Sequence, residues 1–144
     1  MENFEKNGNC QKNNNSEMYA IGTNRDGREL RFESSGGTMI ECSHQELIKL
    51  DLSNCKELAI LYCMDNELTK LDLSDYTSLE LIVCNGNQLT ELNLSNCKEL
   101  TDLDCSKNKL TELDSTNCDK LKNKNCLVGG NASNSYTFNV IGKD

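Results

Sequence analysis

Leu-Thr-Lys-Leu-Asp-Leu-Ser-Asp-Tyr-Thr-Ser-Leu-Glu-Leu-Ile-Val-Cys-Asn-Gly-Asn, residues 68–87, decides the fold, because its frame returns 21 residues upstream and 21 residues downstream. Leu47, Leu68, Leu89 and Leu110 head successive lines, followed by Leu50, Leu71, Leu92 and Leu113, then by Leu52, Leu73 and Leu94. Further along come Leu58, Leu79, Leu100 and Leu121, then Leu61, Ile82 and Leu103. Cys63, Cys84, Cys105 and Cys126 form a cysteine column that Cys42 extends upstream, and Asn66, Asn87 and Asn108 close the lines. A column that stays apolar while its neighbours vary marks an inward position. One coil cannot bury its own apolar edge, so the coils must stack on one another.

Each line divides into two half-units, Leu-Thr-x-Leu-Asp-Leu-Ser as in residues 68–74, and Leu-x-x-Leu-x-Cys-x-x-Asn as in residues 100–108. This pairing resembles the leucine-rich repeat proteins, and among them the short bacterial 21-residue repeats of the IRREKO type, relatives of the internalin-like class. The resemblance covers residues 38–126. It implies a right-handed curved solenoid whose usual work is binding other proteins. The expected fold is mainly β, with about four to five coils and little helix, since the chain has no Pro and no helical-period window free of Asn, Ser or Gly.

The ends read as packaging. Residues 1–17, rich in Asn, Lys and Glu, are expected to form a disordered tail. Residues 18–37 alternate around Arg25-Asp26-Gly27, a hairpin signal, and would cap the first coil. The solenoid runs over 38–126 and decays in its last line, where Ser115 and Lys124 replace apolar residues. Residues 127–144 would form a C-terminal cap, with a strand at 136–141 pairing on the last coil.

A hydrophobic content of 36% is thin for a globule of 144 residues but ample for a solenoid with one narrow seam. The net charge of −8 and pI near 4.7 oppose direct nucleic-acid binding and association with an anionic membrane. No run approaches the roughly 18 apolar residues of a membrane helix. The opening Met-Glu-Asn-Phe-Glu-Lys lacks the pattern of a secretory signal, so the expected location is cytoplasmic, or secreted or surface-bound had a signal been removed.

Nine cysteines in a short chain would suit a disulfide scaffold, but the number is odd and five recur at an inward position. Side chains about 4.8 Å apart on adjacent coils suit buried packing thiols in a reducing compartment; a disulfide and a metal site stay open as alternatives. No Cys-x-x-Cys pair exists for zinc, and no cofactor is implied. A second column, Cys55, Cys97 and Cys118 with Tyr76 in the missing place, is expected nearer the edge.

Strand parity sorts the faces. In the first half-unit Lys49, Asp51, Lys70, Asp72, Glu91, Asn93, Glu112 and Asp114 point outward, a solvated polar face. In the second, parity places Met39, Glu41, Ile60, Tyr62, Met64, Leu81, Val83, Asn85, Asp102, Asp104 and Ser106 outside. Six of these are large and apolar, and a patch of that kind with an acidic rim suits docking of a partner protein. Two alternatives stay open: the N-terminal hairpin folds over the patch through Tyr19 or Phe32, or two copies meet there, making the chain a monomer or weak homodimer.

The expected function is protein recognition, as an inhibitor or adaptor, through the first ten of those outward residues. The alternative is an acidic decoy in which Asp51, Asp72, Asp102, Asp104 and Asp114 occupy the basic groove of a nucleic-acid enzyme. Catalysis is not expected. A Cys42–His44 dyad would need an activated thiol in a cleft, whereas the register turns Cys42 inward and leaves His44 in a bend.

Overall fold

The computed structural model describes residues 18–125 and 139–141, the last three and 123–125 by their backbone alone. Every regular element among them is a strand: β1 (Tyr19–Asn24), β2 (Glu29–Glu33), β3 (Met39–Glu41), β4 (Leu47–Asp51), β5 (Ile60–Tyr62), β6 (Lys70–Asp72), β7 (Leu81–Val83), β8 (Glu91–Asn93), β9 (Asp102–Asp104), β10 (Glu112–Asp114), β11 (Asn123–Asn125) and β12 (Asn139–Ile141). The second half-units make one parallel sheet ordered β11-β9-β7-β5-β3. Its register keeps the 21-residue step, with Ile40 opposite Leu61, Leu61 opposite Ile82 and Ile82 opposite Leu103. About three turns are complete, at 47–66, 68–87 and 89–108, rather than four to five. Residues 38–46 supply only a half-unit, and the fourth line loses its apolar columns where Ser115 and Lys124 stand.

The first half-units pair differently. β1 lies antiparallel on β4, β6 pairs only with β8, and β10 pairs in parallel with β12. Neighbouring coils are still joined at this corner, where the N–H groups of Glu67, Gln88 and Lys109 donate to the carbonyls of Leu47, Leu68 and Leu89 at 2.8, 2.9 and 2.8 Å.

Each line-ending asparagine binds its own bend to the coil before it. Asn87 Oδ1 accepts the Leu68 N–H at 3.0 Å, while Nδ2 donates to the carbonyls of Cys63 at 2.9 Å and Cys84 at 3.0 Å. Asn66 and Asn108 repeat the pattern on Leu47 and Leu89. The side chain is buried in all three, so it supplies partners that water cannot reach. The same bend requires a left-handed residue: His44 (φ 57°), Asp65 (51°), Gly86 (70°) and Lys107 (52°) occupy one column, and only one line fills it with the residue that adopts this conformation freely.

The seam is as dry as the columns predict. Ile40, Leu58, Leu61, Cys63, Leu73, Leu79, Ile82, Cys84, Leu89 and Leu100 are fully buried. The second cysteine column corrects the expectation of an edge position: Cys55, Tyr76, Cys97 and Cys118 are all buried. Tyr76 is closed over by a neighbouring line, with the Lys56 ammonium 5.5 Å from its ring centroid. Cys97 Sγ donates to the Leu73 carbonyl at 3.4 Å. Leu50 and Leu92 are only partly buried, so the first-half leucine column is less uniform than its sequence.

Cys42, Cys55, Cys63, Cys84, Cys97 and Cys118 are free thiols, but Cys105 is disulfide-bonded. The column is therefore not thiol throughout. Parallel coils set cysteine Cα atoms about 4.8 Å apart, inside the range a disulfide spans, so the packing that hides thiols also permits a bridge. Burial pushes the free thiols up, Cys42, Cys84 and Cys97 to about 12 and Cys55 to about 11. At pH 8 the folded chain should leave these four unalkylated by iodoacetamide, and all should react once guanidinium unfolds it; mass spectrometry of trapped peptides reads this directly. Because their folded values lie above the unfolded value near 9, the stability they contribute is intact below pH 9 and falls as pH rises toward 12.

The hairpin at the start forms as its sequence suggests. Asn24 Oδ1 accepts from the N–H groups of Asp26 and Arg28, and Gly27 takes φ 79°. Gly22 is required by packing: a Cβ there would lie 2.6 Å from Leu47 Cδ2 and 2.9 Å from Phe32 Cε2. The free edge of β2 carries Glu29, Arg31 and Glu33, charges that discourage further strand pairing. The tail read at 1–17, Cys126 and all but 139–141 of the segment read as a C-terminal cap lie outside the described residues.

Candidate functional site

The parallel register fixes two outward rows on the five-stranded sheet. Met39, Ile60, Leu81 and Asp102 stand opposite one another in one row, and Glu41, Tyr62, Val83 and Asp104 in the other. Met64 and Asn85 follow one position beyond the inward cysteines. Eight of the ten residues named from parity thus take outward register positions on one sheet, and Met64 and Asn85 lie two residues beyond the ends of β5 and β7. Met39, Ile60, Tyr62, Met64, Leu81 and Val83 are partly exposed rather than open, because rows at strand spacing cover one another. Ser106 departs from the parity reading. It is buried, with its hydroxyl donating to Asp104 Oδ1 at 2.6 Å and its carbonyl accepting from Gly86 and Asn108.

The acidic rim has a second duty. Asp104 Oδ1 accepts the Ser106 N–H at 3.0 Å, and Glu41 Oε1 accepts the Ser43 N–H at 2.8 Å. Asp102 Oδ2 accepts the Thr101 hydroxyl at 2.6 Å. Glu41 and Asp104 thus shape the exits of β3 and β9 and Asp102 the entry of β9, while Glu41 and Asp104 flank Tyr62 and Val83 in the second row. The polar face behaves alike: Asp51, Asp72 and Asp114 accept the N–H groups of Ser53, Ser74 and Thr116. The Ser74 bonds hold the Asp72 carboxyl below its ordinary range, as those of Thr116 do for Asp114. Asp51, Asp72 and Asp114 end strands of the first half-units, whereas Asp102 and Asp104 belong to the five-stranded sheet.

The hairpin meets the apolar rows at β3, where the Ser35 N–H that follows β2 donates to the Met39 carbonyl at 2.9 Å. Its pairing is with β4, in the other half-unit. Phe32 packs over Gly22 near Leu47, and the Tyr19 ring lies 3.7 Å beneath the Arg31 guanidinium.

Parity overlooked a groove of about 570 Å³ on the opposite corner, lined by Arg25, Ile48, Glu67, Thr69, Gln88, Thr90 and Lys109. Ile48 is the one strongly exposed large apolar residue among those described, at 38%. The signal was present in sequence: Ile48 stands where later lines carry Thr69, Thr90 and Thr111. Arg25 closes the groove by pairing with Glu67 through two guanidinium nitrogens.

Cys42 and His44 do not meet as a catalytic pair. Cys42 is buried with Sγ 3.5 Å from the Tyr62 carbonyl, while His44 is exposed on its bend with Nδ1 3.5 Å from Asp65 Oδ2. Among the described residues no group of three His, Cys, Asp or Glu side chains could hold a metal ion, and no helix is long and apolar enough to cross a membrane.

No protein-family model matches the chain, and no curated protein matches it. Among solved structures it is similar to the functional domain of InlJ from Listeria monocytogenes, described as including a cysteine ladder, with a TM-score of 0.60 and 34% identity. The match covers 62% of this chain and 20% of that one, so this chain spans a small part of its neighbour's length. The cysteine column of this chain agrees with the cysteine ladder described there, and the chain is a β-solenoid of leucine-rich-repeat type, similar in fold to that internalin domain.

Proposed function

We propose that the chain is a protein-recognition module that docks a partner on the outward face of its five-stranded sheet. The observation that carries this reading is the register that aligns Met39, Ile60 and Leu81 in one row, followed by Asp102, and Tyr62 and Val83 in the next, flanked by Glu41 and Asp104. A rigid parallel sheet holds these side chains in place beforehand, so little ordering cost falls on the backbone at association. Tyr62 is the natural anchor, since aromatic side chains carry much of the energy of interfaces. The likeness to an internalin domain supports a binding role over a catalytic one. Nothing in the arrangement favours the decoy, whose five aspartates divide between two faces.

The test is capture of partners from the source cell with wild type, Tyr62→Ala and Val83→Glu. Both substitutions should abolish the specific interaction and leave the thermal melt within a few degrees of wild type. Retained capture, or a melt that collapses in both variants, would end this reading. Association through the apolar rows should also survive high salt better than charge-driven binding.

A further inference from the structure

We propose that Asn85-Gly86 is a self-modification site held shut by the fold: once its rung opens, the Gly86 nitrogen converts Asn85 to aspartate or isoaspartate, and the isoaspartate chain no longer rebuilds the bend. The site stands apart from the recognition role and does not depend on it.

The chemistry lies in the pair itself. The Gly86 amide nitrogen attacks the Asn85 side-chain carbon Cγ; a C–N bond forms there while the Cγ–Nδ2 bond breaks, and Nδ2 leaves as ammonia with the amide proton of Gly86. One water then opens the five-membered imide, at the side-chain carbonyl to give aspartate or at the main-chain carbonyl to give isoaspartate. No oxidant or cofactor takes part. Glycine makes the attack easy because it has no Cβ to stand in the path of Cγ. Among the described residues Asn85 is the one asparagine followed by glycine. The bend needs that same glycine, since Gly86 takes φ 70° and a Cβ there would run into Asp65 Oδ1. The packing thus retains the residue that exposes its neighbour to this reaction.

Stacking holds the reaction back. The peptide unit between the two residues is bound on both sides: its Asn85 carbonyl accepts the Asp65 N–H at 2.9 Å, and its Gly86 N–H donates to the Ser106 carbonyl at 3.1 Å. One bond reaches the coil before, the other the coil after. Closing the ring turns this unit about the Asn85 Cα–C bond and strips the Gly86 nitrogen of its proton, so both bonds must break first. Conversion therefore proceeds from the opened rung, and its rate follows the fraction of time the rung is open.

Isoaspartate routes the main chain through Cβ and Cγ, which adds one atom between Cys84 and Asn87. Asn87 reaches the Leu68 N–H and the carbonyls of Cys63 and Cys84 within 3.0 Å, a fit that a lengthened bend does not meet. A rung that converts while open is thereby kept from closing as before.

The test holds the full chain at pH 8 and about 37 °C for several days, in buffer and in guanidinium, with Asn87→Ala in buffer as a third sample; mass spectrometry scores a gain of about 1 Da and the isoaspartate form in the peptide that carries Asn85. Asn85 should convert at least about tenfold more slowly in buffer than in guanidinium, the two hydrogen bonds each contributing modestly. Asn87→Ala, which loosens the rung without touching the pair, should convert faster in buffer than wild type. Isoaspartate chains returned to buffer should melt at lower guanidinium than unmodified chains taken through the same steps. Equal conversion in buffer and guanidinium would overturn the clamp, and no conversion in either would overturn the site. A rate unchanged by Asn87→Ala would break the link to rung opening, and an isoaspartate chain with the wild-type melt would remove the consequence for the bend. Asn85→Gln, whose ring would need six members, should stay unmodified throughout; the same mass gain in its peptide would move the reaction to Asn87 and end the proposal.

Discussion

Replacing Asn87 by Ala should lower the unfolding free energy by about 2 to 4 kcal/mol, a large part of the roughly 5–15 kcal/mol that holds such a chain folded. The truncation leaves the buried Leu68 N–H without its acceptor, and the carbonyls of Cys63 and Cys84 each lose one of two donors, keeping Asn66 Nδ2 and Asn108 Nδ2. The uncompensated amide costs on the order of 1–3 kcal/mol and each lost second hydrogen bond less than about 1 kcal/mol, reduced where the bend relaxes. Asn87→Asp separates hydrogen bonding from volume. It keeps an acceptor for Leu68 but offers the two carbonyls no donor while ionised, so it should be most damaging at neutral pH. Because burial raises the folded pKa of that new carboxyl, stability should recover as pH falls toward the ordinary carboxylate range. Guanidinium melts across pH 4 to 8 measure this; equal stability of Asn87→Ala and wild type would show that water reaches the bend.

The second large effect belongs to the seam. Leu61 is fully buried and lies in register between Ile40 and Ile82, each held by strand pairing on β3 and β7. Leu61→Ala should cost about 2 to 5 kcal/mol, near the top of that range because paired strands on both sides resist collapse into the cavity. Leu92→Ala removes the same atoms from a partly exposed position and should cost less, below about 2 kcal/mol. Equilibrium melts of the two variants decide it. Equal losses would mean that column membership sets the energy rather than burial.

That comparison also shows what the sequence could and could not convey. A 21-residue step is visible in any line of the chain, and with it came the stacking, the inward columns and the ten outward residues of the candidate face, because strand parity converts position into direction without further information. What periodicity does not carry is lateral pairing. Nothing in Leu50 or Leu92 announces that β4 is taken by the hairpin or that β8 pairs only with β6, so their partial exposure had no sequence signal. The same limit hid the burial of Tyr76, which depends on a lysine from the preceding line, and the turn duties of Glu41 and Asp104, which are read only once donor positions are known. Ile48 was legible, as the one apolar residue at a position that later lines fill with threonine.

The asparagine bonds couple each line to its neighbour by a constant offset, 19 residues to the amide and 24 to the carbonyl. Removing residues 68–88 would deliver Leu89 directly after Glu67, and Asn108 would find the carbonyl of Cys63 where that of Cys84 had been. Whole lines are thus interchangeable parts, and the span of the outward face can lengthen or shorten one rung at a time while both ends keep their design. Selection acting on such a gene can tune reach by duplication or loss of a 63-nucleotide block, without inventing a new bend.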